Sequence, residues 1–316
     1  MKNCIRIGSR GSQLALWQAG WVKRRLEEWY KGIDVTIERI KTKGDKIVDV
    51  PLKNVGGKGL FIKEIEESLL KRRIDIAVHS MKDFPTTIYE GLVIAAISER
   101  EDPRDVVISK EGIRLSDLRF NARIGTSSLR RQAQLLNFRS DLCIIQIRGN
   151  LDTRIKKLYS EDLDAVIVAA AGVKRMGWEE KISEFLPYVI SLPAIGQGAL
   201  CIEVREDDSN IIKMMERFNH YETSIEIGAE RAFLNRLAGG CQVPIAGFGK
   251  ISNNRLLLEG MIGSIDGKML FREKIEGDPD KGNEMGIRLA ERLLNIGGDE
   301  ILREVYGGSV NSDISL

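Results

Sequence analysis

The chain has 316 residues, of which 43% are hydrophobic and 30% are charged, and its formal net charge is +2. This composition is typical of a soluble globular protein and excludes a disordered or fibrous one, and the length favours two or three domains. The small net charge predicts neither a nucleic-acid nor a membrane partner, and the chain has no apolar run of the roughly 20 residues that a bilayer span requires.

Short β-rich runs alternate with amphipathic helices over the first two-thirds of the chain, which is typical of α/β layering. The N-terminal residues lack an apolar run of signal-peptide length, so we expect a cytoplasmic location. Ser12 can cap the first predicted helix, because a serine hydroxyl satisfies free backbone N–H groups there. The predicted strands span residues 4–8, 35–40, 74–79 and 92–98, and the predicted helices span 12–30 and 60–73.

Two parts of the chain resemble each other. Residues 6–12 and 123–128 each look like a strand that ends in glycine and hydroxyl residues and then opens a helix. Residues 74–78 similarly resemble residues 163–167. Strand–glycine–helix turns are common, so the spacing leaves the repeat open. A true repeat would predict two related α/β lobes with a cleft between them.

Two polar segments divide the chain into domains. The charged residues 99–105 and the segment 193–198 indicate that the chain leaves the first lobe and later returns to it. After residue 220, helical patterns at 223–237 and 281–294 enclose three strand-like runs, at 245–250, 255–262 and 268–275. We therefore predict a first lobe of residues 1–99 and 199–219, a second lobe of residues 104–193 and an α+β domain of residues 220–316.

Basic residues recur where predicted strands end. Hydroxyl-rich turns at 9–12 and 125–128 open helices, and helix N-termini attract anions. Arginine binds carboxylate or phosphate through two parallel hydrogen bonds. A single arginine in a loop is usually solvated, but the recurrence indicates a ligand with several acidic groups. The basic residues of this set are Arg10, Arg130, Arg131, Arg148, Arg154, Lys174 and Arg175.

A lysine and a carboxylate follow the predicted strand at 74–79. Asp83 can act as a general acid or base, although a lone aspartate in a loop is usually a turn former. His79 is expected to pack or cap. The glycine-rich stretch 55–61 lacks the order of a nucleotide P-loop, because Gly59 follows Lys58, and we interpret it as a mobile lid.

Cys241 lies in a segment suited to covalent chemistry. Gly239 and Gly240 precede it and Pro244 follows it, which predicts an exposed turn after a helix. A nucleophile, a redox sensor and an anchor are all consistent with that setting. The other cysteines, Cys4, Cys143 and Cys201, are expected to be packing residues. The wide spacing of the four and the presence of two histidines argue against a zinc site or a disulfide scaffold.

These segments together resemble the porphobilinogen deaminase family over almost the whole chain. Each segment alone is weak or moderate evidence, and their combined order is specific. The resemblance implies two α/β lobes like those of periplasmic binding proteins, with a cleft between them, and a small α+β C-terminal domain that carries the cofactor cysteine. The matching segments are residues 12–18, 56–61, 79–83, 99–105, 125–131, 148–150 and 239–244.

The family's activity follows from the same resemblance. It implies a cytoplasmic, monomeric transferase of tetrapyrrole biosynthesis that adds four porphobilinogen units to a dipyrromethane primer, releases ammonia each time and frees hydroxymethylbilane by hydrolysis. Cys241 would hold the primer through a thioether bond. Asp83 matches the catalytic carboxylate, which assists amine departure and stabilises positive charge on pyrrole nitrogens. The resemblance implies no metal, nucleic acid or membrane.

Further positions match the family's binding residues. The substrate is acidic, so the growing polypyrrole chain accumulates carboxylates that need basic partners. One position departs from the family, which often has lysine immediately before Val55, where this chain has Asn54 preceded by Lys53. The cofactor-binding matches are Ser12, Lys82, Asp83, Thr126, Ser128, Arg130, Arg131 and Arg148, and the substrate-binding matches are Arg10, Arg148, Arg154 and Arg175.

Two other functions compete with this interpretation. A two-lobed binding protein for a polycarboxylate would explain the arginines, but it would not explain Cys241, and the sequence shows no export signal. A phosphate-ester transferase would use the basic helix N-termini, but the sequence has no P-loop and no evident magnesium-binding cluster.

Overall fold

The computed structural model describes residues 4–42, 62–237 and 243–306 of the chain. The strands of these ranges are β1 (Cys4–Ser9), β2 (Asp34–Arg39), β3 (Ile76–Ser80), β4 (Leu92–Ile97), β5 (Asp105–Ser109), β6 (Arg123–Gly125), β7 (Cys143–Ile145), β8 (Ala165–Ala169), β9 (Glu184–Phe185), β10 (Leu200–Arg205), β11 (Ile245–Ser252), β12 (Arg255–Gly263) and β13 (Leu270–Gly277).

Helices cover these strands. They are α1 (Gln13–Trp29), α2 (Lys63–Leu70), α3 (Leu129–Phe138), α4 (Leu151–Ser160), α5 (Ala170–Arg175), α6 (Ser209–Met215), α7 (Tyr221–Arg236), α8 (Gly282–Leu293) and α9 (Asp299–Tyr306). Single 3₁₀ turns include Met81–Asp83 and Leu115–Asp117. None of the helices in the described ranges has the length and apolarity needed to cross a membrane.

Two five-stranded sheets with the same plan form the two lobes. The sheet of lobe 1 has the order β2-β1-β3-β10-β4, and that of lobe 2 has the order β7-β6-β8-β5-β9. In each sheet the first three strands are parallel, and the fourth is antiparallel to its neighbours. The fourth strands, β10 and β5, are the ones that directly follow the two polar segments. The chain therefore crosses from lobe 1 to lobe 2 and returns.

The internal repeat is confirmed by matching hydrogen bonds. The backbone N–H of Arg6 donates to Asp75 Oδ2 at 3.0 Å, and that of Arg123 donates to Asp164 Oδ2 at 2.6 Å. Ser12 and Ser128 likewise cap α1 and α3 by accepting from backbone N–H groups one turn into each helix. The β1–α1 and β6–α3 units are therefore equivalent in position and in detail.

The apolar pattern explains how each helix is seated. Helix α1 buries Val22 and Leu26, which lie four residues apart on one face, against the apolar residues of β1 and β3. The inner residues of strands β5 and β8 are all apolar, because both faces of their sheet are covered. Each lobe therefore has its own core, which leaves polar strand ends to line the space between the lobes.

The third domain is an antiparallel sheet, β11-β12-β13, packed against α7 and α8. Phe233 of α7 is fully buried in its core. This arrangement confirms the α+β character predicted after residue 220. The residue boundaries of the three units are not tested by these observations and stay predictions.

Two cysteines differ from expectation. Cys201 is buried in β10, as predicted for a packing residue, but Cys4 and Cys143 are exposed. The prediction is wrong for those two because each is the first residue of its strand, where the side chain is exposed to solvent. The predicted helix 60–73 is Lys63–Leu70 among the described residues.

Candidate active site

The 81–83 turn presents a lysine and an aspartate at the end of β3. Buried Met81 and buried Phe84 hold the two ends of the turn, and the Phe84 N–H donates to the Met81 carbonyl at 3.2 Å. Lys82 is half-buried and Asp83 is exposed. The turn therefore holds its backbone in the core of lobe 1 while it offers a carboxylate to the space outside.

Charges of lobe 2 face Lys82. Burial lowers the pKa of Lys82 to about 8; Asp83 and Asp105 oppose this effect, and Arg131 and Arg130 add to it. The ammonium donates a hydrogen bond of 3.2 Å to Gln197 Oε1. Lys82 of lobe 1 is thus close enough to Arg130 and Arg131 of lobe 2 for their charges to interact.

Asp105 organises the arginines of lobe 2. Its fully buried carboxylate accepts hydrogen bonds from Arg130 Nη1 at 2.8 Å, from Arg131 Nη2 at 2.7 Å and from Ser191 Oγ at 2.8 Å. Burial alone would raise the pKa of Asp105, but the two guanidinium groups outweigh burial and hold the pKa well below its usual range. Asp105 therefore carries a permanent negative charge beneath the site.

The role of Asp105 is not evident from the sequence, where it is only one residue of a polar segment. One signal is present, because Asp105 directly precedes three apolar residues of a buried strand. A carboxylate at such a position needs a partner, since an unpaired buried charge is strongly unfavourable. Its partners lie 25 and 26 residues further along the chain, beyond the reach of local pattern.

Arg130 and Arg131 are themselves largely buried. Arg130 Nη1 also donates to the Leu192 carbonyl at 2.7 Å, and Arg131 Nη1 donates to the Ile167 carbonyl at 2.9 Å. The Nε of Arg131 is buried and has no hydrogen-bond partner among the described residues. Both arginines thus hold lobe 2 together, and their role as cofactor contacts stays a prediction.

Arg154 and Arg175 bring further positive charge to the space between the lobes. Burial, followed by repulsion from Arg131, lowers the pKa of Arg154, whereas Asp83 of lobe 1 raises it. Arg175 donates to the Gly198 carbonyl at 2.6 Å and lies over the Trp17 ring at 6.0 Å, and burial lowers its pKa to about 10. The charges of Arg154 in lobe 2 and Asp83 in lobe 1 are therefore close enough to interact.

The electrostatic balance between the lobes favours a polyanion. Four cationic side chains and two carboxylates interact here through their charges. The carboxylates are Asp83 and Asp105, and the cations are Lys82, Arg130, Arg131 and Arg154. Mutual repulsion and desolvation destabilise such a group unless anions bind to it. Carboxylates or phosphates would supply the missing negative charge.

The predicted hydroxyl residues line the strand ends beside these cations. Thr126 is buried, and its Oγ1 accepts from the Ser128 N–H at 3.3 Å. Ser12 and Ser128 act as helix caps. Arg10 and Arg148 are half-buried just after β1 and β7. The structure places all of these residues at the carboxyl ends of parallel strands, where α/β folds bind ligands.

Several predicted residues lie outside the described residues. They are Cys241, the lid stretch 53–61, Lys53 and Asn54.

The third domain is tied to both polar segments. Glu230 of α7 is fully buried and accepts from Arg100 Nη2 at 2.7 Å, from the Gly196 N–H at 2.7 Å and from the Gly249 N–H at 2.8 Å. Arg100 lies on the first segment and Gly196 on the second. The third domain therefore holds the two crossings in register.

A second buried charge group lies behind the 81–83 turn, in lobe 1. His79 Nε2 lies 3.0 Å from Glu203 Oε2, and the His79 ring packs against Phe84 at 5.2 Å. Glu66 of α2 is also buried nearby; burial, followed by repulsion from Glu203, raises its pKa to about 6, although His79 opposes the shift. Because the folded state raises the pKa of Glu66, ionisation of this carboxyl group lowers the free energy of unfolding.

Glu66→Gln is expected to stabilise the protein at pH 8 by about 2 kcal/mol. The folded-state pKa of about 6 lies above the ordinary value of 4.5, so the stability that Glu66 contributes is complete below pH 4.5 and is lost as the pH rises through 6. The gain should therefore vanish near pH 4.5. Urea unfolding at both pH values measures it.

Glu67→Gln is the matched control for that experiment. Glu67 neighbours Glu66 on α2 but pairs with Lys71 on the exposed side at 3.1 Å. Loss of such a pair changes stability by about 1 kcal/mol or less. An equal change for Glu66→Gln at pH 8 and pH 4.5 would contradict the assigned shift.

Two family models match the sequence. Residues 5–213 match "Porphobilinogen deaminase, dipyromethane cofactor binding domain", and residues 224–295 match "Porphobilinogen deaminase, C-terminal domain". Together the matches span both lobes and most of the third domain.

Curated relatives with the same name align with this chain over nearly their full length. A porphobilinogen deaminase of Geotalea uraniireducens is 56% identical over 309 residues, which cover 98% of this chain and 97% of that protein. One of Geobacter sulfurreducens is 55% identical over 311 residues, with 98% of each chain covered. Among solved structures, the periplasmic aliphatic sulphonate binding protein SsuA of Escherichia coli aligns with 74% of this chain and 70% of its own, at 12% identity and a TM-score of 0.40.

Proposed function

The chain belongs to the porphobilinogen deaminase family, and we propose that its reaction takes place between the lobes, at the 81–83 turn. The activity is that of a hydroxymethylbilane synthase, a transferase of tetrapyrrole biosynthesis. Four porphobilinogen molecules are joined head to tail with loss of ammonia, and the linear tetrapyrrole is then released by hydrolysis. We further propose that the protein is a monomer and that it is located in the cytoplasm.

The side chains between the lobes fit the dipyrromethane cofactor of this family. Each ring of that group carries carboxylates, and the site offers an excess of cations together with the unpaired Nε of Arg131. We propose that Lys82, Arg131, Arg148 and their neighbours bind these carboxylates. Cys241 is the proposed site of covalent attachment. When bound, the cofactor supplies the pyrrole carbon to which the first porphobilinogen is joined.

Asp83 is the proposed catalytic carboxylate. It is exposed to the space between the lobes, whereas Asp105 is fully buried and committed to two arginines. A carboxylate beside a pyrrole N–H stabilises the positive charge that develops as the amine of porphobilinogen departs. Lys82 and Arg154 keep Asp83 in a cationic surrounding, and we assign to them the acidic side chains of the substrate.

The observation that carries this proposal is a chain of hydrogen bonds between the lobes, in which Lys82 beside Asp83 is joined through Gln197 to Asp105 and its two arginines. This connection supports a single site to which lobe 1 contributes the proposed catalytic carboxylate and lobe 2 contributes carboxylate-binding arginines. A substrate with two acidic side chains can then bridge them while its reactive amine lies near Asp83.

Arg154→Gln is expected to raise the KM for porphobilinogen about tenfold, because one charge-assisted hydrogen bond to a carboxylate is lost. Elongation should also slow, so that enzyme with partly extended chains accumulates. Intact-protein mass spectrometry during turnover detects these species as stepwise additions of porphobilinogen units.

Arg288→Gln is the control for that experiment, because Arg288 is exposed on α8 of the third domain. It should leave both KM and the distribution of chain lengths unchanged. An Arg154→Gln enzyme with the wild-type KM and wild-type distribution would refute the assigned role of Arg154.

A further inference from the structure

Gly196, Gln197 and Gly198 form a short turn on the segment that returns the chain to lobe 1. Both glycines have positive φ, +70° and +97°. A Cβ at Gly196 would lie 2.7 Å from Met81 Cγ, and one at Gly198 would lie 2.2 Å from the Glu101 carbonyl oxygen. Only glycine fits at these two positions. The turn is therefore pressed against the 81–83 turn on one side and against the first polar segment on the other.

The side chain of Gln197 lies between the two lobes. Its Oε1 accepts from Lys82 Nζ at 3.2 Å, and its Nε2 donates to Asp105 Oδ1 at 3.0 Å and to the Pro103 carbonyl at 2.6 Å. Gln197 is almost fully buried. One amide thus connects the lysine beside Asp83 in lobe 1 to the carboxylate that holds the arginines of lobe 2.

The chemistry of the two ends suits an amide. The carbonyl oxygen faces an ammonium group and the NH₂ group faces a carboxylate, so each end meets the partner it can bind. A carboxylate at residue 197 would repel Asp105, and an apolar side chain would remove the acceptor of Lys82 and one of the donors to Asp105. The arrangement is therefore specific for a side-chain amide.

We propose that Gln197 is a positioning residue that holds the Lys82 ammonium at a set distance from the Arg130–Arg131 pair. This spacing matters because the cations bind carboxylates of one ligand at the same time, so the role rests on the proposed function. Without the amide, Lys82 would lose this hydrogen bond while still being repelled by the two guanidinium groups. Gln197 does not need to touch the substrate for this role.

The test compares two substitutions of Gln197 in the holoenzyme, by measuring the KM for porphobilinogen between pH 6.5 and 9.5. The charged groups facing Lys82 are Asp83 beside it and Asp105, Arg130 and Arg131 from lobe 2. In wild type, KM is expected to rise as Lys82 loses its proton, and the midpoint should lie at or above about pH 8 because the cofactor carboxylates held by Lys82 oppose the effect of burial. Gln197→Met removes the acceptor and should move this rise about one pH unit lower. Gln197→Glu keeps an acceptor, now charged, and should move it higher.

Gln134→Met is the matched control. Gln134 is another buried glutamine, but its hydrogen-bond partners are backbone groups. Its Nε2 donates to the Arg130 carbonyl at 3.2 Å and to the Leu192 carbonyl at 3.1 Å, and its Oε1 accepts from the Leu192 N–H at 2.7 Å. Its loss should lower the urea midpoint, as the loss of Gln197 should, while the KM profile keeps its wild-type midpoint. Opposite shifts for the two Gln197 variants, with none for Gln134→Met, would support the positioning role.

Two results separate failure of this role from failure of the proposed function. If wild type makes hydroxymethylbilane but both Gln197 variants keep the wild-type profile, the positioning role is refuted and Gln197 is only structural. The same holds if Gln134→Met shifts the profile as Gln197→Met does. If wild-type holoenzyme forms no hydroxymethylbilane, the proposed function itself fails, and the positioning role falls with it.

Discussion

Asp83→Asn in the holoenzyme should lower the rate of ammonia release from porphobilinogen by about 10²–10⁴-fold, the usual contribution of a general acid–base group. Asparagine keeps the shape of the side chain but loses the charge that stabilises a cationic pyrrole. The loss should appear in kcat, because the interaction strengthens as positive charge develops. Single-turnover measurement of ammonia with preloaded enzyme gives this rate directly.

The fold should survive the Asp83→Asn substitution. Asp83 is exposed, and the ends of its turn are held by buried Met81 and Phe84. Exposed substitutions of this kind change stability by about 0.5 kcal/mol or less, so urea unfolding should match wild type. A near-normal rate of ammonia release from the folded variant would remove Asp83 from the mechanism.

Asp117→Asn is a suitable comparison for Asp83→Asn. Asp117 is also exposed and also ends a single 3₁₀ turn, Leu115–Asp117, but it lies in lobe 2 and accepts from Ser116 Oγ at 2.9 Å. Its substitution should leave kcat unchanged. A large loss for Asp117→Asn would indicate that turns of this type matter for folding rather than for chemistry.

Cys241→Ser is expected to abolish turnover completely. Serine is nearly isosteric, but its hydroxyl is a far poorer nucleophile than a thiolate toward the group that must be attached. The intact mass of active wild-type protein should exceed the mass calculated from the sequence by two pyrrole units, and digestion should place the addition on Cys241. The serine variant should have only the mass of its polypeptide.

The other cysteines provide internal controls for this assignment. Cys4 and Cys143 are exposed thiols, so Cys4→Ser and Cys143→Ser test whether exposure alone leads to attachment. Cys201 is fully buried, and burial raises the pKa of its thiol, which disfavours the reactive thiolate. An active wild-type preparation without added mass, or with the addition on another cysteine, would refute attachment at Cys241.

Local sequence was sufficient to predict the strand–turn–helix units at residues 6–12 and 123–128. Ser12 and Ser128 cap helices within their own turn, and a cap depends only on residues a few positions apart. The turn that presents Asp83 follows from a buried strand and its immediate neighbours. Resemblance to the family added the roles of these residues, which neither spacing nor composition indicates.

The partners of the buried charges could not be predicted in the same way. Arg130 and Arg131 were expected to face a ligand, yet both are bound to Asp105, which lies on strand β5 and not on their own helix α3. Gln197 was assigned no role, although it connects residues 92 and 115 positions away. Such contacts depend on how the lobes pack, and no local pattern encodes that packing.

The sequence by itself determined the order of helices and strands, the turn that carries Asp83 and the family of the chain, whereas the repeat was settled by the matching sheets of the two lobes. These features depend on capping, apolar periodicity and motif order, which are properties of neighbouring residues. Only the tertiary structure decided which cations are committed to Asp105, which lie close to Asp83 and which side chain joins the lobes. Burial and distance between remote residues govern those choices, because the energy of a charge depends on its solvent exposure and its nearest partners.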